Sequence, residues 1–111
     1  MADYLLIESR DPFEFADTTY MYQMAGDLVA NGNRVTMFLI QNGVFCARKN
    51  VKNNPLSGLT RDAPSVRVEA DDFSLRERGI STSGLADGVT VSNVDDLVDH
   101  MMQGDTKVVW H

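Results

Sequence analysis

The chain has 111 residues, a usual length for one domain, so we expect a single domain over residues 1–111 with one hydrophobic core. Ten Lys and Arg stand against sixteen Asp and Glu, and the formal net charge of −6 argues against nucleic acid or an anionic membrane surface as the main partner. No apolar run approaches the roughly 20 residues that a transmembrane helix needs, and the first residues do not resemble a secretory signal. We therefore expect a cytoplasmic protein.

Short apolar runs with turn residues behind them predict five strands. The predicted strands cover residues 4–7, 34–40, 65–69, 89–91 and 107–110. Their nearly continuous apolar character is typical of strands in a sheet that is covered on both faces. We expect largely buried side chains at Leu5, Ile7, Val35, Met37, Leu39, Val108 and Val109.

Helical patterns separate the predicted strands. We place helices over residues 13–30, 44–48, 71–78 and 94–102, and a loop over the Asn- and Pro-containing residues 49–64. Strands that alternate with helices form parallel sheets through helical crossovers. The predicted fold class is α/β, a three-layer α/β/α sandwich with a five-stranded, mainly parallel sheet.

The one cysteine, Cys46, lies in a candidate ligand loop. Ligands of open parallel sheets bind beyond the carboxyl ends of the strands, and residues 41–46 follow the second strand. At the start of a helix the thiol pKa would be lowered, which would make a partly exposed Cys46 a nucleophile. A lone cysteine is also a common small apolar filler of a core, and this alternative stays open.

Other chemistry has little support in the sequence. One cysteine excludes a disulfide within the chain and a Cys-based zinc cluster, and the positions of His100 and His111 make a metal site improbable. We predict no metal and no cofactor. Asp71 and Asp72 are typical of the first turn of a helix, and a general acid or base role is the less favoured interpretation.

Several segments follow one another in a characteristic order. They are Ser-Arg-Asp-Pro-Phe at residues 9–13, Val-Thr-Met-Phe-Leu-Ile-Gln-Asn-Gly-Val at 35–44, Glu-Arg-Gly-Ile-Ser at 77–81, Leu-Ala-Asp-Gly-Val at 85–89 and Lys-Val-Val-Trp at 107–110. In this order and spacing, they resemble the DsrE/DsrF-like sulfur-relay family, particularly its YchN-like members. The resemblance covers nearly the whole chain.

The resemblance implies a homo-oligomer, a trimer or hexamer, and a role with sulfur-relay partner proteins or a small sulfur compound. Active members of the family carry a persulfide on a cysteine after the third strand. Counted back without gaps from Gly79, that position is Asp71 here, and no catalytic role is carried over to it.

Two functional hypotheses remain. In the first, the protein belongs to intracellular sulfur relay or sulfur metabolism and Cys46 accepts persulfide sulfur. In the alternative, it is a non-catalytic oligomeric scaffold, or a member that binds a partner or small ligand, so whether it is an enzyme stays open. The residues expected to bind a ligand beside Cys46 are Ser9, Gln41, Asn42, Gly43 and Asp71.

Overall fold

The computed structural model describes residues 1–111 and contains one parallel sheet of five strands. The strands are β1 (Asp3–Glu8), β2 (Arg34–Leu39), β3 (Arg67–Asp71), β4 (Val89–Ser92) and β5 (Thr106–Trp110). Their order across the sheet is β4-β3-β2-β1-β5, and every neighbouring pair is parallel. This confirms the predicted α/β class and the five-stranded parallel sheet.

Four α-helices cover the sheet. They are α1 (Thr19–Ala30), α2 (Pro55–Asp62), α3 (Asp72–Glu77) and α4 (Val94–Met101). Short 3-10 helices occupy Ala16–Thr18, Gln41–Ala47 and Thr82–Gly84. None of the helices has the length and apolar character that crossing a membrane requires.

Helix α2 corrects the prediction of a loop over residues 49–64. The Asn54 side chain accepts a hydrogen bond from the Leu56 amide at 3.1 Å, so it caps the helix, and Pro55 occupies the first turn. The same Asn-Pro pair that suggested a loop is therefore a helix start. The helix predicted from residue 44 is also corrected, because the segment Gln41–Ala47 is a 3-10 helix that begins three residues earlier.

The two faces of the sheet are covered unequally. Helices α1, α2 and α3 pack on one face over a core of 17 buried residues. On the other face α4 alone packs through Leu97 on a cluster with Leu5, Ile7 and Phe38. The major core therefore lies between the sheet and the three-helix layer.

Burial agrees with the sequence in the central strands and differs at one edge. Leu5, Ile7, Val35, Met37 and Leu39 are buried, as predicted. The same prediction is wrong for the two valines of β5, because Val108 is 39% exposed and Val109 is partly exposed. Strand β5 is an edge strand, and α4 is too short to cover it fully.

Candidate functional site at the carboxyl edge of the sheet

The parallel strands β1, β2 and β3 end at the same edge of the sheet, where the segments that follow them meet. Glu8 ends β1 and Asp71 ends β3, while the 3-10 helix Gln41–Ala47 follows β2 between them. Ser9, Gln41, Asn42 and Gly43 therefore share this edge with Asp71. Open parallel sheets bind ligands at such an edge.

Gly43 lets the 3-10 helix approach the end of β1 closely. A side chain at this position would collide with the main-chain carbonyl of Glu8, because a Cβ built there overlaps the carbonyl oxygen. Only glycine lacks that atom, so the residue is needed for the packing of the segment against β1. The Ile40 amide also donates to the Glu8 carbonyl oxygen at 3.0 Å and helps to fix this approach.

Asp71 joins the ends of β3 and β2 through Ser74. One carboxylate oxygen of Asp71 accepts from the Ser74 amide at 2.9 Å and from its hydroxyl at 2.7 Å, while the Ser74 hydroxyl oxygen accepts from the Gln41 amide at 2.8 Å. Gln41 has a φ of 54°, a left-handed conformation. Asp71 is therefore the N-cap of α3, as its acidic character at a helix start predicted, and its other oxygen is buried without a hydrogen-bond partner.

The exposed part of the edge carries positive charge. The Arg78 guanidinium donates to the Asn42 side-chain oxygen at 3.0 Å. Arg78 and Arg48 both lie over the Phe45 ring, 5.9 and 5.4 Å from its centre. The exposed Asn42 thus lies next to the Arg78 guanidinium, and this guanidinium and that of Arg48 can interact with an anionic or carbonyl-bearing ligand.

Cys46 lies in the same 3-10 helix but faces the core. It is fully buried, and its thiol donates to the Gly43 carbonyl at 3.3 Å. Its sulfur also lies 3.0 Å from the Tyr22 hydroxyl. Burial raises the pKa of the Cys46 thiol to about 12, since the charged thiolate loses its hydration there. The expectation that Cys46 is partly exposed and has a lowered thiol pKa, as a persulfide acceptor would, is therefore wrong.

Tyr22 separates Cys46 from a surface groove between α1 and α2. The groove has a volume of about 610 Å³, which suits a small ligand, and is lined by Tyr22, Gly26, Gly58 and Leu59 among others. Glycine on both helices keeps the groove open, because neither Gly26 nor Gly58 adds a side chain. Tyr22 thus contacts both the groove and the buried thiol.

Three residues that the sequence did not group together, Glu8, Asp17 and His111, form a hydrogen-bonded cluster beside Ser9. The His111 ring nitrogen Nδ1 lies 2.8 and 2.9 Å from the Glu8 carboxylate oxygens, and Nε2 lies 3.3 Å from Asp17. Burial raises the pKa of the Glu8 carboxyl, and the hydrogen bond with His111 opposes that effect. Ser9 donates its amide and its hydroxyl to the His111 main-chain oxygen, each at 2.9 Å.

The parallel sheet and its helices define a small α/β protein, and the comparisons with known proteins identify its family. The DsrE/DsrF-like family matches residues 3–110, and the chain belongs to this family. No curated protein matches the chain.

Two solved structures share the fold. The YchN protein from E. coli superimposes with a TM-score of 0.87 at 20% sequence identity over 100% of both chains. MTH1491 from Methanobacterium thermoautotrophicum, described as a protein of unknown function, gives a TM-score of 0.79 at 21% identity over 98% of this chain and 99% of its own. At these identities the similarity defines the fold alone.

Proposed function

We propose that the protein acts in intracellular sulfur relay or sulfur metabolism by binding a relay partner protein or a small sulfur compound, without carrying sulfur on a cysteine. Membership of the DsrE/DsrF-like family supports the sulfur-related role. The complete burial of Cys46 supports the proposal that the protein does not carry sulfur on this cysteine. A thiol whose pKa is raised to about 12 is almost wholly protonated at neutral pH and is a poor nucleophile.

The carboxyl edge is the proposed binding site. Its exposed residues Gln41 and Asn42 offer amide groups, and the guanidinium of Arg78 is held beside them. Such a surface suits a ligand with negatively charged or carbonyl oxygens, including thiosulfate or the carboxylate of a partner. The Ser9 and Asp71 side chains position the loops here, because the Ser9 hydroxyl donates to the His111 main-chain oxygen and the Asp71 carboxylate accepts from the Ser74 amide.

A homo-oligomer, a trimer or hexamer, is part of the proposal. Large apolar side chains stay exposed on the isolated chain, among them Phe13, Phe73 and Trp110. Exposed apolar side chains of this size are typical of surfaces that associate. Sedimentation velocity at micromolar concentration tests this part, and a monomer would contradict it.

The covalent alternative keeps Cys46 as the persulfide acceptor. It is supported by the position of Tyr22, which lines the α1–α2 groove and contacts the thiol. The covalent alternative requires this side chain to rotate so that Cys46 connects with the groove. In that case the thiol would react only in a minor, open conformation.

One experiment separates the two candidates. The native protein and its Cys46→Ser variant are incubated with glutathione persulfide and their intact masses are measured. We expect no added sulfur on either protein, together with thiosulfate-induced shifts of the Gln41 and Asn42 amide signals in NMR spectra. A gain of one sulfur atom on the native protein that Cys46→Ser abolishes would establish the covalent alternative instead.

A further inference from the structure

The outer edge of β5 has free main-chain hydrogen-bonding groups. The His111 amide donates to the Ile7 carbonyl and the His111 carbonyl accepts from the Ser9 amide, so His111 faces β1. Residues of a parallel strand alternate in the direction of their main-chain groups. Val109 therefore also faces β1, while the N–H and C=O groups of Val108 and Trp110 point away from the sheet.

The side chains of the same two residues form an apolar surface. Val108 is the register partner of Leu5 and Trp110 that of Ile7, so both project on the face that α4 covers. They are 39% and 57% exposed. Three exposed apolar residues of α4 extend this apolar surface along the stripe that contains Leu97; they are Val94, Val98 and Met101.

Nothing in the strand protects this edge from pairing. Exposed edges are commonly blocked by proline, a bulge or several charges, yet β5 has no proline and Lys107 is its only charged residue. The opposite edge differs, because β4 projects the polar Thr90 and Ser92 on the same face. The free apolar edge is thus specific to β5.

We propose that β5 pairs antiparallel with β5 of a second copy of this chain, about a two-fold axis at Val109, and so joins two sheets into one of ten strands. This interface specifies the two-fold contact of the hexamer proposed above and rests on that proposal, since a closed trimer has no two-fold axis. A strand edge that is unpaired in one copy is unpaired in the other, and a two-fold axis makes the same patch complementary to itself.

The axis at Val109 follows from the free groups. It places Val108 of each copy opposite Trp110 of the other. The N–H and C=O groups of Val108 then pair with the C=O and N–H groups of Trp110 across the axis. An axis at Val108 would need Thr106, whose amide already donates to the Gln103 carbonyl. The chosen register also sets Val108 against the Trp110 ring, a favourable cross-strand pair, and no charged residues face each other at these positions.

Disulfide trapping tests the register directly. The two Val109 residues form the close, non-hydrogen-bonded pair at the axis, with Cα atoms about 4.5 Å apart, which suits a disulfide. In a Cys46→Ala background, Val109→Cys is expected to form a covalent dimer under mild oxidation. The matched Lys107→Cys variant is expected to stay monomeric on a denaturing gel, because position 107 lies away from its own copy across the axis.

Trp110 supplies a second readout, since it is the one tryptophan of the chain. We expect its emission maximum to shift to shorter wavelength as concentration rises, in parallel with association measured by sedimentation. Trp110→Lys should weaken this association by about tenfold or more, because a buried aromatic anchor is lost. Tyr20→Lys, which changes an exposed aromatic residue of α1, should leave it unchanged.

The outcomes distinguish this interface from the oligomer itself. An oligomer that Trp110→Lys does not weaken, and in which Val109→Cys forms no dimer, overturns the β5 pairing and leaves the proposed oligomer intact. A monomer at every concentration overturns both the β5 pairing and the proposed oligomer.

Discussion

The Tyr22 hydroxyl and the Cys46 sulfur lie 3.0 Å apart, buried together between α1 and the sheet. Each is the polar group nearest the other, and burial raises the pKa of both because it removes water from the charged forms. The contact satisfies the hydroxyl, and its hydrogen bond opposes the effect of burial on the thiol pKa without overcoming it. Tyr22 also lines the groove between α1 and α2, so it contacts both the thiol and the surface.

Alkylation of Cys46 should be slow in the folded protein. A rise of its pKa from 9.0 to about 12 lowers the thiolate fraction at pH 8 by about a thousandfold. Tyr22→Ala should increase the rate of iodoacetamide labelling, since it removes the side chain between the thiol and the groove. Labelling is followed by intact mass, with Tyr20→Ala as the exposed control on the same helix. Equal rates in native and urea-unfolded protein would contradict the burial of the thiol.

The same pKa shift predicts a loss of stability in alkali. The folded pKa lies above the unfolded one, so the stability is complete below about pH 9 and falls as the pH rises toward about 12. At pH 10 the free energy of unfolding should be lower by roughly 1 kcal/mol than at pH 8. Urea unfolding at the two pH values measures this difference. Cys46→Ala should reduce it, and an unchanged difference in that variant would assign the effect to other groups.

Gly43→Ala should destabilise the protein, because the added Cβ overlaps the Glu8 carbonyl. Main-chain shifts that relieve such overpacking cost about 1–3 kcal/mol. Gly104→Ala is the matched control, since no heavy atom lies within 4 Å of a Cβ at that position. The midpoints of thermal or urea unfolding compare the two variants, and equal effects would refute the close approach.

Leu39→Ala should lower the free energy of unfolding by about 2–5 kcal/mol, because it leaves a cavity in a central strand. Leu39 is fully buried in β2, which has a strand on each side. Tyr20→Ala, at a 72% exposed position, should cost far less. A midpoint of urea unfolding that Leu39→Ala leaves unchanged would show that the side chain is not in the core.

Local patterns of the sequence predicted the strands because each carries its own apolar run. They failed for Val108, which is as apolar as its register partner Leu5 but lies on an edge strand. Edge position depends on the strand order, which no local pattern contains. The pairing of Glu8 with His111 was missed for the same reason, since the two residues are separated by 103 positions in sequence. Cys46 was placed in the correct loop, but the side of the 3-10 helix that it occupies depends on packing against Tyr22.

His111→Ala should raise the pKa of the Glu8 carboxyl further. The hydrogen bond and the charge of the imidazole oppose the effect of burial, and the variant loses both. Because the folded pKa lies above the unfolded value of 4.5, stability is complete below about pH 4.5 and is lost as the pH rises through the folded pKa. The loss between pH 4 and pH 7 should therefore be larger in His111→Ala than in the unmodified protein.

Carbon-detected NMR titration of the Glu8 carboxyl measures its pKa directly, and urea unfolding at pH 4 and pH 7 measures the loss of stability between them. His100→Ala is the control, because His100 lies on α4 and makes no hydrogen bond with Glu8. Ser9 should keep its two hydrogen bonds in His111→Ala, since both reach the main-chain oxygen of residue 111. A Glu8 pKa that stays the same or falls in His111→Ala would show that the imidazole does not stabilise the carboxylate.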